Sequence, residues 1–454
     1  MRTSVILFVV GLIVFSAFAN KRLLIHSPDN HFAYQADAFL NGQLELTRNP
    51  PHQNDWASYQ QLELKGESAA RHGPMVEGFF TRRKGKGNEF RTLAGEHIEI
   101  PRRDRGQAKT RYFVSFPPGP AVLMLPSVAV VGYGTNDVVF TVAFAGLNVA
   151  LIFAFLQLLT RLGHSTRTER ENLWLTALFA FGTAHLWCSV LGRVWFTALI
   201  VGVTFHLLYL YFSVDARRPL LAGAALAMAF ATRASLVFAA VFFYWQLFLS
   251  EKGRALDSRE RWRRFALFSA PCLVVGLLLL WFNHARFGNP AEFGHTYLAG
   301  GTMPRIRDFG LMHWNFLDRN LHAALTLVPQ IVDKPPYIQL SKHGMSLFLT
   351  TPALLLLFRP VRSHALSRSF AVAAGCVALP IALYQNTGWE QFGFRFSLDF
   401  MPYLVGCLAL GARPMTRWFK GLIIAGVLVN ALGAATFHRV GGLYTHHLAD
   451  EPKR

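Results

Sequence analysis

Apolar residues in this chain run together instead of alternating with polar ones. Against the ~20 residues that a helix needs to cross a bilayer, candidate spans lie at 4–19, 137–160, 173–192, 195–213, 219–232, 235–250, 265–283, 345–358, 368–385, 397–411 and 418–437. The pattern predicts an all-α polytopic membrane protein of about eleven transmembrane helices. A single helix over 219–250 would be about 48 Å long against a core of about 30 Å. It would also carry Arg233 to mid-bilayer, where a charge costs about 3 kcal/mol or more. Two short helices turning at Thr232-Arg233 avoid both problems. One more apolar stretch, 117–132, opens with Pro117-Pro118-Gly119-Pro120 and contains Pro126. By pattern alone it fits a span or a helix lying on the membrane surface.

Charge decides between these two. With the N-terminus inside and 117–132 not crossing, the short cytoplasmic segments hold Arg2; Arg161, Arg167 and Arg170; Arg217 and Arg218; Lys252, Arg254, Arg259, Arg261, Arg263 and Arg264; Arg359, Arg362 and Arg368; and Arg413, Arg417 and Lys420, 18 in all. The short external turns hold three, Arg193, Arg233 and Arg395. A crossing at 117–132 would turn seventeen of the 18 outward, against the positive-inside tendency. Residues 117–132 are therefore expected to form a surface helix that closes a first external loop, 20–136, within a single membrane domain over 1–454. Residues 284–343 form the second external loop. The stretch Ala17-Phe18-Ala19 also resembles a signal cleavage site; a retained first span is the preferred reading, and residue 20 starts outside either way.

Composition agrees. Of 454 residues, 52% are hydrophobic and 16% charged, against about 25% charged in soluble domains. The net charge of +19 punctuates apolar runs and is not gathered on a polar module, which argues against nucleic-acid binding. The four cysteines, Cys188, Cys272, Cys376 and Cys407, all lie inside apolar runs and read as core residues, not a disulfide framework. No phosphate loop, dinucleotide fingerprint or H-E-x-x-H metal motif occurs, and no metal or cofactor is expected. His446-His447 reads as a polar tail, and Arg82-Arg83-Lys84-Gly85-Lys86 as a solvated turn.

The candidate chemistry gathers outside. Pro28 opens a predicted helix with Phe32, Ala36 and Phe39 or Leu40 as its apolar stripe, and Asp29 falls in its first turn. Arg193, Arg233, Arg286 and Arg395 fall at or near outer span ends. Several cations with one carboxylate suit an anionic, phosphate-bearing ligand. The competing explanation for each arginine is interfacial snorkelling, for Asp29 a helix cap, and for Arg395 an i,i+4 pair with Asp399.

These residues resemble the GT-C superfamily of membrane glycosyltransferases, the group that includes protein O-mannosyltransferases and the aminoarabinose transferase. The resemblance is carried by Ser27-Pro28-Asp29-Asn30 after the first span, Val114-Ser115-Phe116-Pro117-Pro118 before the surface helix, and Ala231-Thr232-Arg233. Asn283 to Phe293 and Gly393-Phe394-Arg395-Phe396-Ser397-Leu398-Asp399 complete it, in the expected order. It implies an inverting transfer of a sugar from a polyprenyl-phosphate donor to a lipid, glycan or protein acceptor, at the external face of a bacterial inner membrane. Asp29 would be the general base, and Arg233, Arg395, Arg193 and Arg286 would hold the donor phosphate. His31, Tyr34, Asp37 and Glu292 would be substrate contacts. Asn30 stands where the family often has Glu, and Phe116 where aminoarabinose transferases have Lys, so phosphate binding must rest on other cations. The rival reading is a lipid-linked-sugar transporter, which needs a polar path through the bilayer; Asn148, Gln157, His185 and His206 are scattered. A non-catalytic membrane scaffold is the third.

Overall fold

The computed structural model describes residues 2–80, 89–298, 304–359, 365–410 and 413–445. Arg82 to Lys86 and His446-His447 lie outside them. The described chain is mostly helical and divides into two compact units: Met1–Ser27, Asn136–Val275 and Met312–Arg454 form the first, Pro28–Thr135 and Gly276–Leu311 the second.

Among the described residues six helices are long and apolar enough to cross a membrane: α1 (Arg2–Ala19), α2 (Asp137–Arg161), α3 (Arg193–Ser213), α4 (Ser258–Phe287), α5 (Ala365–Ala382) and α6 (Arg417–Thr436). The chain is a multi-span membrane protein. Within the first unit, hydrogen bonds fix the relative directions of the spans. At one end, Asp137 at the start of α2 accepts from the backbone of Ser27 (2.7 Å) and of Arg193 at the start of α3 (2.8 Å). There too the C-terminal ends of α1 and α6 meet, with Arg22 donating to the Phe437 carbonyl at 3.1 Å. At the other end Asp215 takes His164 (2.9 Å) and Lys252 (2.6 Å). These directions are the ones that the charge count demands. Close approach is made possible by missing side chains. A Cβ on Gly11 of α1 would sit 3.2 Å from the Gly146 Cα of α2, and one on Gly223 would meet the Phe268 carbonyl oxygen at 2.1 Å.

The expected eleven spans differ from the helices found. The five others are short or broken. Pro219–Phe230 turns at Thr232-Arg233 into 234–248, as the length argument requires. The 173–192 stretch is a helix over Glu169–Phe181, capped by Thr168 and Glu171, that stops at Gly182, followed by a separate turn, His185–Cys188. The 345–358 stretch is Leu347–Thr350 and a 3₁₀ helix, Pro352–Phe358; 397–411 is a 3₁₀ helix, Arg395–Asp399, and then Met401–Leu410. Much of these segments is buried, as at Trp187, Leu354 and Leu398, where a break in the helix is tolerated because protein, not lipid, surrounds it.

The second unit corrects the all-α expectation. It contains a five-stranded antiparallel sheet of order β4-β3-β2-β1-β5, with β1 Trp56–Leu64, β2 Met75–Phe80, β3 Glu89–Thr92, β4 His97–Glu99 and β5 Arg105–Val114. Residues on β1 alternate between two cores: Ala57 and Tyr59 pack with Phe79, Phe113 and Phe287, whereas Leu62 and Leu64 pack with Val76, Phe90 and Ile98. The helix Gly119–Val131 is 13 residues, with Pro126 inside. At about 1.5 Å per residue it is about 20 Å long, against a hydrocarbon core of about 30 Å.

Candidate functional site

Asp29 is placed differently from its expected position. The helix begins at His31, Asn30 occupies the N-cap position without a side-chain capping bond, and no acid lies in the first turn. Asn30 instead donates to the Thr135 carbonyl at 2.7 Å. Asp29 therefore lies ahead of the helix, one residue before its N-cap. The residue is 3% exposed; its carboxylate accepts from Asn54 Nδ2 at 3.2 Å and has His52 Nε2 at 3.4 Å. The contacts assign the His52 tautomer: Nε2–H donates to the Pro28 carbonyl at 2.8 Å, and Nδ1 accepts from the Asn54 backbone at 3.2 Å.

His31 lies beneath this group, fully buried. Its ring stacks on Trp56 at 3.7 Å and faces the Asn54 carbonyl at 3.0 Å. Burial pulls its pKa down to about 3, opposed by the carbonyls of Asp29 and Asn54. Tyr34 and Tyr133 pack 4.5 Å apart, and Asp37 accepts from Tyr133 Oη at 2.5 Å and from Thr47. Burial raises the Tyr133 pKa, and the bond to Asp37 adds to the shift. Glu292 fixes its own loop, accepting from the Gly294 backbone and Thr296 Oγ1, each at 2.6 Å. Arg286 holds the segment between Asn283 and Phe293 to the sheet: it donates to the Val114 carbonyl (2.6 Å), Asn283 Oδ1 (2.9 Å) and the Phe282 carbonyl (3.4 Å), and lies 3.8 Å from the Phe282 ring centroid. All these residues belong to the second unit.

In the first unit Arg233 and Arg395 flank the Phe396 ring, each 5.3 Å from its centroid. Asp399 pairs with Arg233, not Arg395: it accepts from Nη2 at 2.7 Å and Nε at 3.2 Å, and from Ser235 Oγ at 2.7 Å. The i,i+4 pairing fails because Arg395–Asp399 is a 3₁₀ helix, whose turn repeats every three residues. Arg395 is 3% exposed and donates to the carbonyls of Glu390 (3.2 Å) and Trp389 (3.3 Å). Arg193 has its backbone N–H on Asp137 and Ser27. Asp137 was not singled out by sequence; Asn136-Asp137 at the head of an apolar run was the available signal, since Asn136 caps that helix.

Of the polar residues inside the spans, Asn148 is satisfied by its neighbours, whereas both ring nitrogens of His206 are buried with no hydrogen-bond partner among the described residues. Asn148 donates to the Ile200 carbonyl (2.9 Å), approaches His185 Nε2 (3.2 Å) and accepts from Thr204 (2.5 Å). His206 packs its ring 4.9 Å from that of Tyr403. Among the described residues no group of three or more His, Cys, Asp or Glu could hold a metal.

No family model and no curated protein matches the chain. Among solved structures it is similar to the Archaeoglobus fulgidus oligosaccharyltransferase in its apo form, at 12% identity and a TM-score of 0.45. The match covers 95% of this chain and 56% of the other, so the chain spans about half the length of that protein.

Proposed function

We propose that the chain is an integral-membrane glycosyltransferase that moves a sugar from a polyprenyl-phosphate donor to an acceptor hydroxyl at the external face, with Asp29 as general base. One observation carries the reading: after the first span, ahead of the helix that starts at His31, stands a carboxylate on a residue only 3% exposed, held by Asn54 and facing His52. Buried ionisable groups in polar recesses are candidates for chemistry. The acceptor O–H would give its proton to Asp29 as its oxygen attacks the anomeric carbon, and the bond to the donor phosphate would break on the opposite side. Asn54 and His52 orient the carboxylate. Arg233 and Arg395 are assigned to the departing phosphate, with Arg193 as a further cation of the same unit. Arg286 is assigned to structure, because all three of its guanidinium nitrogens already donate.

Asp29→Asn keeps the shape but cannot take the proton. Purified protein given a polyprenyl-phosphate sugar should lose about 10²-fold or more in transfer, with expression and donor binding retained. Wild-type rates in this variant would remove Asp29 from the role and leave Asp37, within the helix that follows, as the next carboxylate to test.

A further inference from the structure

A short helical segment lies across the end of span α5. Trp314–Phe316, Leu317–Leu321 and His322–Thr326 follow one another as 3₁₀, α and π turns. The His313 backbone donates to the Leu383 carbonyl at 2.9 Å. Seven residues later, Asn320 Nδ2 donates to the carbonyls of Ala382 (2.9 Å) and Tyr384 (2.7 Å), and Arg319 to that of Gln385 (2.7 Å). Seven residues of helix advance about 10 Å, so a segment running alongside α5 would have left residues 382–385 by then. It crosses the end of α5 instead, and its donors meet carbonyls that the last turn of a helix leaves without intrahelical partners. Ser346 ties its far end, donating from Oγ to the Leu325 carbonyl (2.6 Å) and from its backbone to the Leu327 carbonyl (2.8 Å). Further along, Ile338–Ser341 pairs with Tyr444–Thr445, just past α6, so this is the end of the first unit at which α6 also finishes.

The segment has three faces. Phe316, Asn320, Ala323, Ala324 and Leu327 are buried. Asn315, Asp318 and Thr326 are polar and exposed. The third face is apolar and exposed: Trp314 (66%), Leu321 (41%), Leu325 (40%) and Val328 (56%) recur at intervals of seven, four and three residues, one stripe of a helix. Ile331 and Ile338, directly opposite each other in an antiparallel pair and so on one face of it, are 91% and 49% exposed. A contiguous apolar surface with a polar rim marks a contact with protein or membrane, and position decides between them. The exposed apolar surface of span α5 reaches Leu379, within one helical turn of the Ala382 carbonyl that Asn320 holds. A helix across the end of a span lies at the boundary of headgroups and acyl chains, where one face can enter the lipid, another can face water, and tryptophan is favoured.

We propose that residues 314–328 form an interfacial helix whose Trp314, Leu321, Leu325 and Val328 enter the lipid leaflet at this end of the spans, with Ile331 and Ile338 extending the contact. The charge count assigns this end to the external side, so the second external loop is held to the bilayer along its middle and is not free in water. The inference needs only the spans and stands whether or not the transfer reaction does.

Nitroxide labels on single cysteines test this, placed in a cysteine-free background of the full-length protein in phosphatidylcholine nanodiscs. Collision with oxygen, which concentrates among acyl chains, is compared with collision with a nickel chelate, which stays in water. Labels at Leu321 and Leu325 should give an oxygen-to-nickel ratio several-fold above labels at Asn315 and Asp318, and a label at Ile331 should group with the first two. Equal ratios on the two stripes would overturn the lipid contact. Low collision with both reagents at 321 and 325 would show that protein, a second copy or another chain, covers the stripe, and would overturn it too. If either leucine variant fails to fold, a label at Val328 of the same stripe takes its place.

Discussion

Replacing Asp399 with Asn should destabilise the protein by about 3 kcal/mol, at the lower end of the cost of leaving a buried ion without its partner. The carboxylate is 1% exposed and takes three donors, two from Arg233 and one from Ser235. The amide keeps the shape and one acceptor oxygen but leaves the Arg233 guanidinium facing a neutral group. The Arg233 side chain is 15% exposed, so water recovers part of the loss and the upper end of that range is not expected. Arg233→Ala has a comparable effect for the reverse reason, leaving a buried carboxylate held by Ser235. A double-mutant cycle isolates the pair: coupling should be about 2 kcal/mol, set by charge-assisted hydrogen bonds. The measurement is unfolding in mixed micelles against rising SDS for wild type, both single variants and the double. Coupling under about 0.5 kcal/mol, as for an exposed pair, would refute the claim that Asp399 holds Arg233. The cycle also bears on function, because weaker donor binding in Arg233→Ala counts as phosphate contact only where the fold survives.

Three further outcomes follow from particular residues. Gly223→Ala must push apart the backbones at Gly223 and Phe268 and should cost about 1–3 kcal/mol in thermal unfolding; Gly375→Ala, which meets no atom within 4 Å, should be near neutral. His31 has its pKa depressed from 6.5 to about 3, so the unfolded chain binds more protons between those values. Stability should fall as pH drops from 6.5 toward 3, by at most about 1.4 kcal/mol per pH unit for this group; His31→Gln should flatten this slope, and an unchanged slope would clear His31. Single-cysteine labelling in a cysteine-free background should find the 251–264 loop cytoplasmic and Gly134 external. Labelling of a Gly134 probe from the cytoplasm would reverse all later sidedness.

How much of the fold could be read from sequence depended on the range of the interaction. The six long helices follow from unbroken apolar runs, and the turn at Thr232-Arg233 follows from helix length against bilayer thickness. The breaks at Gly182 and before Pro352 were missed because burial by neighbouring helices removes the penalty that lipid would impose on free backbone groups. In the sheet, His97-Ile98-Glu99-Ile100 carries the polar-apolar alternation of a strand. In β1 all of Trp56, Ala57, Ser58 and Tyr59 are buried, because both faces are covered, and this hides the alternation that marks a half-exposed strand. Arg233 finds Asp399 and Ser27 finds Asp137 across 166 and 110 positions, distances over which a local pattern carries no information.

The same reasoning bears on Asp29, whose local structure differs from the one its sequence suggests. Pro28 and the apolar stripe placed the acid in a helical first turn, where a carboxylate needs no further explanation. The helix instead starts two residues later, and the side chain turns onto residues 52–54. Asn54 gives it a neutral donor, while the His52 proton is directed chiefly at the Pro28 carbonyl, 2.8 Å away against 3.4 Å to the carboxylate. Burying a carboxylate costs free energy unless ionic or hydrogen-bonding partners offset it. Asp29 stands one residue ahead of the N-cap position, which Asn30 occupies. If the contacts with Asn54 and His52 were purely structural, Asp29→Asn could re-form the bond from Asn54 Nδ2 through its own amide oxygen and would leave transfer intact. Loss of transfer with Asn54 and His52 unaltered would therefore identify the charge, not the shape, as what the site requires.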